Sequence, residues 1–215
     1  ALNRYFLIVD FLEKADRFHG AWPHWINGET GKVVPFSKKD NGGDLVETAF
    51  LVQGLLTVSE YFKDGNEKEQ ELVSKIDTLW KDIEWDWYTK GEDVLYWHWS
   101  PEYAWDMNFP VGGYNECLIM YVLAASSPTH SITKDVYEKG WAKNEAIVSN
   151  DSLYGEALVL NYYENDDAPV GPLFWAHYSY LGLNPNGLYD QYADYWKLTQ
   201  NQAKIHYKYA VDNPK

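Results

Sequence analysis

Four carboxylates in this chain stand where acid chemistry would need them. Asp40, Asp44 and Glu47 fall in the run DNGGDLVETAFLVQ, residues 40–53. Glu116 follows Gly113-Tyr114-Asn115. Each group opens a segment that is apolar almost all round: Leu45, Val46, Ala49, Phe50, Leu51 and Val52 in the first, Cys117 to Ala125 in the second. A helix apolar on every face sits inside a protein. Acids at its head therefore look into the interior or into a cavity. Crowded, desolvated carboxyls are a source of general acids, because burial and like charge raise a pKa. Helical spacing puts Asp44 and Glu47 on neighbouring faces of the first turn. The same residues also fit a capping box, with Asp44 as N-cap and Glu47 reaching back. Asp40 is not needed for that box. Asn115 can cap the second helix, and Glu116 would also gain from that helix's positive end. Asn41-Gly42-Gly43 breaks regular structure before the first helix and lets backbone approach a bound group.

The second chemical signal is aromatic. The chain has 11 Trp, 18 Tyr and 8 Phe, more tryptophan than a core of this size needs. Flat rings with a polar edge suit a sugar, whose C–H face stacks while its hydroxyls find partners. Trp22, Trp25, Trp97, Trp99 and Trp105 are the candidates for stacking, with Tyr114 beside Glu116. His24 and His98 are candidates for hydroxyl contacts. Packing at the edge of the core is the competing use of the same rings.

Charge and cysteine narrow the partners. A net charge of −14 argues against nucleic acid and anionic membranes. It suits a neutral partner or a cation. No apolar run is long enough to span a bilayer, and no signal peptide is visible. The single cysteine, Cys117, has no internal disulfide partner, and no Cys/His spacing suggests zinc. Neither cofactor nor metal is expected. A calcium-binding reading rests on Glu164, Asp166 and Asp167 alone, and calcium wants six to eight oxygens. Oligomeric state is not set by the sequence.

These residues need elements to position them. A helix is expected over residues 1–17 and a hairpin over 19–40. A buried helix from Asp44 to Phe62 precedes a one-faced surface helix over 67–84. A long aromatic loop leads to the second buried helix. Thr133 to Lys143 is a short surface helix with Trp141 inward. Pro172 starts a third apolar segment, and an amphipathic helix runs over 190–210. Buried and surface helices thus alternate as a repeating helical hairpin. Stacked around a centre, such hairpins make a toroid, with the inner helix heads gathered at one end. The seven expected helices do not close a double ring of twelve, so the reading is either a smaller helical fold or part of a toroid. The fold class expected is all-α, with short β-hairpins in the loops.

The motifs Trp22-Pro23-His24, Gly42-Gly43-Asp44-Leu45-Val46-Glu47-Thr48-Ala49-Phe50-Leu51, Gln53-Gly54-Leu55-Leu56, Trp97-His98-Trp99-Ser100-Pro101, Gly113-Tyr114-Asn115-Glu116 and Phe174 to Gly182 with Asn184-Pro185 resemble the bacterial glycoamylase-like family. Its characterised members are endo-β-1,2-glucanases of glycoside hydrolase family 144. The resemblance covers nearly the whole chain. It implies an (α/α)6 barrel that hydrolyses β-glucan without a metal. It matches Asp40, Asp44 and Glu47 to acids of the substrate pocket and Glu116 to the acid that protonates the leaving oxygen. Family members are about twice as long, and their candidate base, an aspartate in later helices, has no counterpart here. The 215 residues are thus read as one domain, a portion of a larger (α/α)6 catalytic domain.

The resulting expectation is an inverting glycoside hydrolase acting on an oligo- or polysaccharide, most simply β-1,2-glucan. Location in the periplasm or outside the cell is inferred from that substrate. A non-catalytic carbohydrate-binding protein using the same aromatic cleft is the alternative.

Overall fold

The structure is a computed structural model that describes residues 1–162 and 170–214. The calcium reading on Glu164, Asp166 and Asp167 lies outside the described residues. The architecture is helix-rich, with two-residue hairpins in the loops.

Helix α1 spans Leu2–Leu12, shorter than periodicity suggests. The chain leaves the helix because Asp16 is claimed by the next hairpin. Its backbone N–H donates to the Gly31 carbonyl at 2.8 Å, and its carboxylate accepts from Val33 N and Lys32 Nζ. That hairpin pairs β1 (Trp25–Ile26) with β2 (Val33–Val34).

Helix α2 spans Leu45–Phe62 and α3 spans Glu67–Lys81. The two differ as their sequences require. In α2, Leu45, Ala49 and Val52 are fully buried. In α3, one stripe of Leu72, Ile76, Leu79 and Trp80 is buried among charged neighbours. Each such side chain contributes about 2 kcal/mol by leaving water. A full capping box starts α3, with Asn66 and Glu69 satisfying each other's backbone. Helix α2 packs on α3 and on α4, which spans Leu118–Ser126, while α3 also meets α1. Helices α2 and α4 lie side by side. Contrary to the expectation of a helix buried on every face, α2 leaves Gly54, Thr57, Glu60 and Tyr61 exposed.

The long aromatic loop is held by two separate pairings. Strand β3 (Gly43–Asp44) runs antiparallel to β5 (His98–Trp99), and β4 (Leu95–Tyr96) to β6 (Pro110–Val111). Trp97 sits at the junction: its N–H donates to Phe109 O at 3.0 Å, and its carbonyl accepts from Leu45 N at 2.8 Å. The aromatic loop is thereby tied to the first residue of α2.

Later segments depart further from the sequence pattern. Residues 136–141 form a π-helical turn, with Trp141 fully buried as expected. A small hairpin joins β7 (Ser152–Leu153) to β8 (Glu156–Ala157). The third apolar segment gives only a short helix α5, Leu173–Tyr178, then a 3-10 turn. It is only partly buried: Phe174, Tyr178 and Leu181 are exposed, Ala176 and Ser179 are buried, and Tyr180 packs against the core. Apolarity alone cannot assign a segment to the interior when, among the described residues, no element covers that face. Helix α6 spans Tyr195–Asp212, capped by Asp194. Asp190, expected inside it, instead holds the preceding turn by accepting from Tyr192 N and Ala193 N. Among the described residues, no helix is long and apolar enough to cross a membrane.

Candidate active site

At the shared head of α2 and α4 lies a cavity of about 280 Å³. Its walls include Glu47, Glu116, His24, Trp97, Phe109, Asn115 and Trp175. The heads of α2 and α4 thus deliver one carboxyl each to the same hollow.

Asp44 is the anchor of this arrangement, although it does not line the cavity. It is fully buried. Its Oδ1 accepts from Val46 N and Glu47 N, both at 2.9 Å, which caps α2. Its Oδ2 accepts from Trp97 Nε1 at 2.7 Å and lies 2.8 Å from His24 Nδ1. A carboxylate offers about four acceptor positions, and all four are taken. The cap and the cleft are therefore two uses of one side chain. The expected reciprocal half of the box does not form, because the Asp44 N–H already donates to Trp22 O at 2.9 Å. Glu47 is left free to face the cavity.

The electrostatics follow from burial. Partial desolvation raises the Glu47 pKa although the residue stays exposed, with Asp44 adding repulsion, His24 opposing the rise and Glu116 adding a smaller push. Desolvation likewise raises the Glu116 pKa. His24 is raised chiefly by its hydrogen bond to Asp44. The cavity thus holds two carboxyls biased toward their protonated forms and one imidazole biased toward its cationic form.

Asp40 lies behind this set, 1% exposed. Its Oδ1 is 3.2 Å from His98 Nε2, which is also 3.2 Å from Gly42 N. Among the described residues, ligand-type atoms of His24, Asp40 and Asp44 gather within 4.8 Å of one another. A cation there would have to replace the hydrogen bond between His24 and Asp44.

Several candidates are not where the sequence reading put them. Trp22 was expected to stack on a sugar, but it is 2% exposed. Its indole N–H donates to Leu12 O, and the Arg17 guanidinium covers its ring at 4.3 Å. The Thr48 hydroxyl holds its backbone from the other side, accepting from Trp22 N at 2.9 Å. His98, expected to contact hydroxyls, is 1% exposed against Asp40 and Gly42 and does not line the cavity. Tyr114 is 3% exposed and donates to Ala176 O. Trp25 is exposed on the first hairpin beside His24 and Phe36, at the rim. Trp99 and Trp105 turn away to a different surface. The Gly42-Gly43 pair admits the protein's own atoms rather than a ligand's. A Cβ on Gly42 would strike the Trp99 carbonyl, and one on Gly43 the Tyr88 hydroxyl.

The sequence reading missed Trp175 and Phe109 as walls and Ser179 as a support. The Ser179 hydroxyl accepts from Ile119 N at 3.0 Å and donates to Glu116 O at 2.7 Å. The signal for Trp175 was its place one turn past Pro172, at the head of the third apolar segment. Nothing local marked Ser179, whose partners lie about sixty positions away.

A family model named glycoamylase, with the description "Putative glucoamylase", matches residues 108–215. The chain belongs to the glycoamylase family. This glycoamylase chain is 59% identical to an endo-β-1,2-glucanase from Chitinophaga pinensis, solved as a sophorotriose and glucose complex, with a TM-score of 0.94. That match covers 99% of the glycoamylase chain and 51% of the other. A structure from Bacteroides caccae described as a "putative glucoamylase" is 56% identical, with a TM-score of 0.96 over 99% of this chain and 51% of that one. An exo β-1,2-glucooligosaccharide sophorohydrolase (non-reducing end) from Parabacteroides distasonis is 44% identical over 99% of this chain and 32% of its own length. The glycoamylase chain thus spans about half the length of the solved relatives and about a third of that enzyme.

Proposed function

We propose that this chain carries the acid side of a glycoside hydrolase site acting on β-1,2-glucan. The observation that carries the reading is the meeting of Glu116 and Glu47 in one ring-walled cavity, both with raised pKa. The names of the relatives, an endo-β-1,2-glucanase and a sophorohydrolase, support the linkage.

In this mechanism Glu116, protonated, donates its proton to the glycosidic oxygen as the bond to the anomeric carbon breaks. Water attacks that carbon from the opposite face, and the anomeric configuration inverts. Trp97, Phe109 and Trp175 exclude water and offer flat surfaces to the sugar. Glu47 and His24 take hydroxyls. Asp44 fixes His24 and Trp97 in place and, with no lone pair left over, activates no water. The carboxylate that activates water follows the family resemblance and belongs to the later helices that the longer relatives possess. The alternation of buried α2 and α4 with outer α3 supports a place for these helices in an (α/α)6 toroid. A polymeric substrate supports a periplasmic or extracellular setting.

The test is Glu116→Gln in the full-length protein, with sugar release from β-1,2-glucan as the readout. Loss of the general acid is expected to lower turnover about 10²- to 10⁴-fold. Release at the wild-type rate would overturn the assignment.

A further inference from the structure

A second aromatic cavity, of about 390 Å³, lies away from the acids. Trp87 and Trp105 form its apolar floor, with ring centroids 6.2 Å apart and planes tilted by 33°. Glu84, Asp86, Lys90 and His130 supply a polar rim.

Trp87 is 40% exposed, yet it is held firmly. His19 stacks on one face of its indole at 3.8 Å, with planes within 14°. His19 is itself fixed by Glu84 at 2.9 Å. The residue sits in a 3-10 turn, Trp87–Thr89, started by the Asp86 carboxylate. One face is thus backed by an imidazole, and the indole needs no rearrangement to receive a ring on its open side.

The rim discriminates among ligands. Glu84 is engaged by His19, Asp86 lies 3.1 Å from His130 Nδ1, and Lys90 donates to Asn108 Oδ1 at 3.1 Å. Each of these side chains is held by a hydrogen bond within the protein, so the rim presents fixed hydrogen-bonding edges. An anionic polymer would meet the Glu84 and Asp86 carboxylates and the chain's net charge of −14. Rings in a V beneath such a polar rim match a neutral sugar, which brings C–H faces and hydroxyls but no charge.

The cavity is also connected to the acid cleft. Trp99 touches both His19 and Trp87 edge-on, at 4.8 and 6.2 Å. The same Trp99 pairs with Gly43 in the two-residue ladder that places Asp44 opposite His98. The two aromatic surfaces are therefore built on one strand pair.

We propose that Trp87 and Trp105 form an accessory platform that holds a neutral glucan chain while another stretch of that chain occupies the acid cleft. The proposal rests on the glucan hydrolase reading above for the identity of the polymer. It predicts that the platform serves long substrates only.

The experiment compares the wild-type protein with Trp87→Ala, Trp105→Ala and Trp87→Phe. Retardation in gels containing β-1,2-glucan gives polymer affinity, and turnover of sophorotriose gives the activity of the cleft. Either alanine variant is expected to weaken polymer affinity about 3- to 10-fold and leave sophorotriose turnover unchanged. Trp87→Phe, which keeps a flat ring, is expected to retain most of the affinity. Its retention, with unchanged sophorotriose turnover, also shows that the fold survives substitution. Unchanged retardation in both alanine variants of an active enzyme would overturn the platform alone. A wild-type protein that neither binds nor cleaves β-1,2-glucan would overturn both the platform and the hydrolase reading.

Discussion

The Ser179 hydroxyl donates to the carbonyl oxygen of Glu116 at 2.7 Å while accepting from Ile119 N. One buried side chain on the 3-10 turn after α5 thereby sets the backbone from which the proposed acid projects. Ser179→Ala removes both bonds and leaves a buried N–H and C=O to find other partners. A loss of about 1–3 kcal/mol is expected in urea unfolding. Turnover should fall while the KM for short glucans changes little, since no binding group is removed.

Asp44→Asn should be more severe than its size suggests. The amide turns one acceptor into a donor, which then faces donors. Either the cap of α2 or the grip on His24 and Trp97 must fail. A destabilisation of about 1–3 kcal/mol is expected, together with a change in the fluorescence of Trp97, which donates to this carboxylate. An unchanged emission spectrum would contradict the double role.

Glu47 and Glu116 have folded-state pKa values raised by burial. The folded state therefore binds more protons than the unfolded chain once pH passes the ordinary glutamate range, and their effect on stability worsens as pH rises through the folded pKa. Glu116→Gln should then unfold at a higher temperature than wild type at pH 7, with a difference that shrinks at pH 4. A stabilised, inactive variant is the expected signature of a site kept for chemistry at a structural cost. Thermal melts at the two pH values check it.

His24 titrates in the opposite chemical sense but with the same slope. Its pKa is raised by Asp44, so its contribution is complete below the unfolded value near about 6.5 and is lost as pH rises through the folded pKa. His24→Gln should cost stability at pH 6 and progressively less in more alkaline buffer. A pH-independent cost would show that the imidazolium–carboxylate pair does not form.

Gly42→Ala should damage the fold through backbone alone. The added methyl meets the Trp99 carbonyl and the Ser100 Cα within one ladder. The β3–β5 pairing must open, and with it the aromatic surfaces on either side. Amide exchange at residues 43 and 99 measures this.

What the sequence made legible was local. Asp44 reads as a cap from its spacing, and it caps. The striped pattern of α3 gives its single buried face, but α2, apolar nearly all round, still leaves Gly54, Thr57, Glu60 and Tyr61 exposed. The places of Glu47 and Glu116 at the heads of two apolar helices were legible, and both side chains line the cavity between those heads, Glu47 remaining exposed. What stayed hidden depends on contacts across long separations. Trp22 looks like a sugar platform until Thr48 and Arg17 are folded against it. Trp99 and Trp105 belong to a second surface that no periodicity separates from the first. The third apolar segment misled because a sequence reports how greasy a face is, not whether anything covers it.

The fourfold coordination of Asp44 has a consequence for laboratory evolution. The carboxylate that seeds α2 is also the one that seats the imidazole and the indole of the cleft, so the scaffold and the pocket share a keystone. Libraries aimed at new linkage preference should leave residue 44 untouched and diversify Phe109 and Trp175, which wall the same hollow without starting any helix.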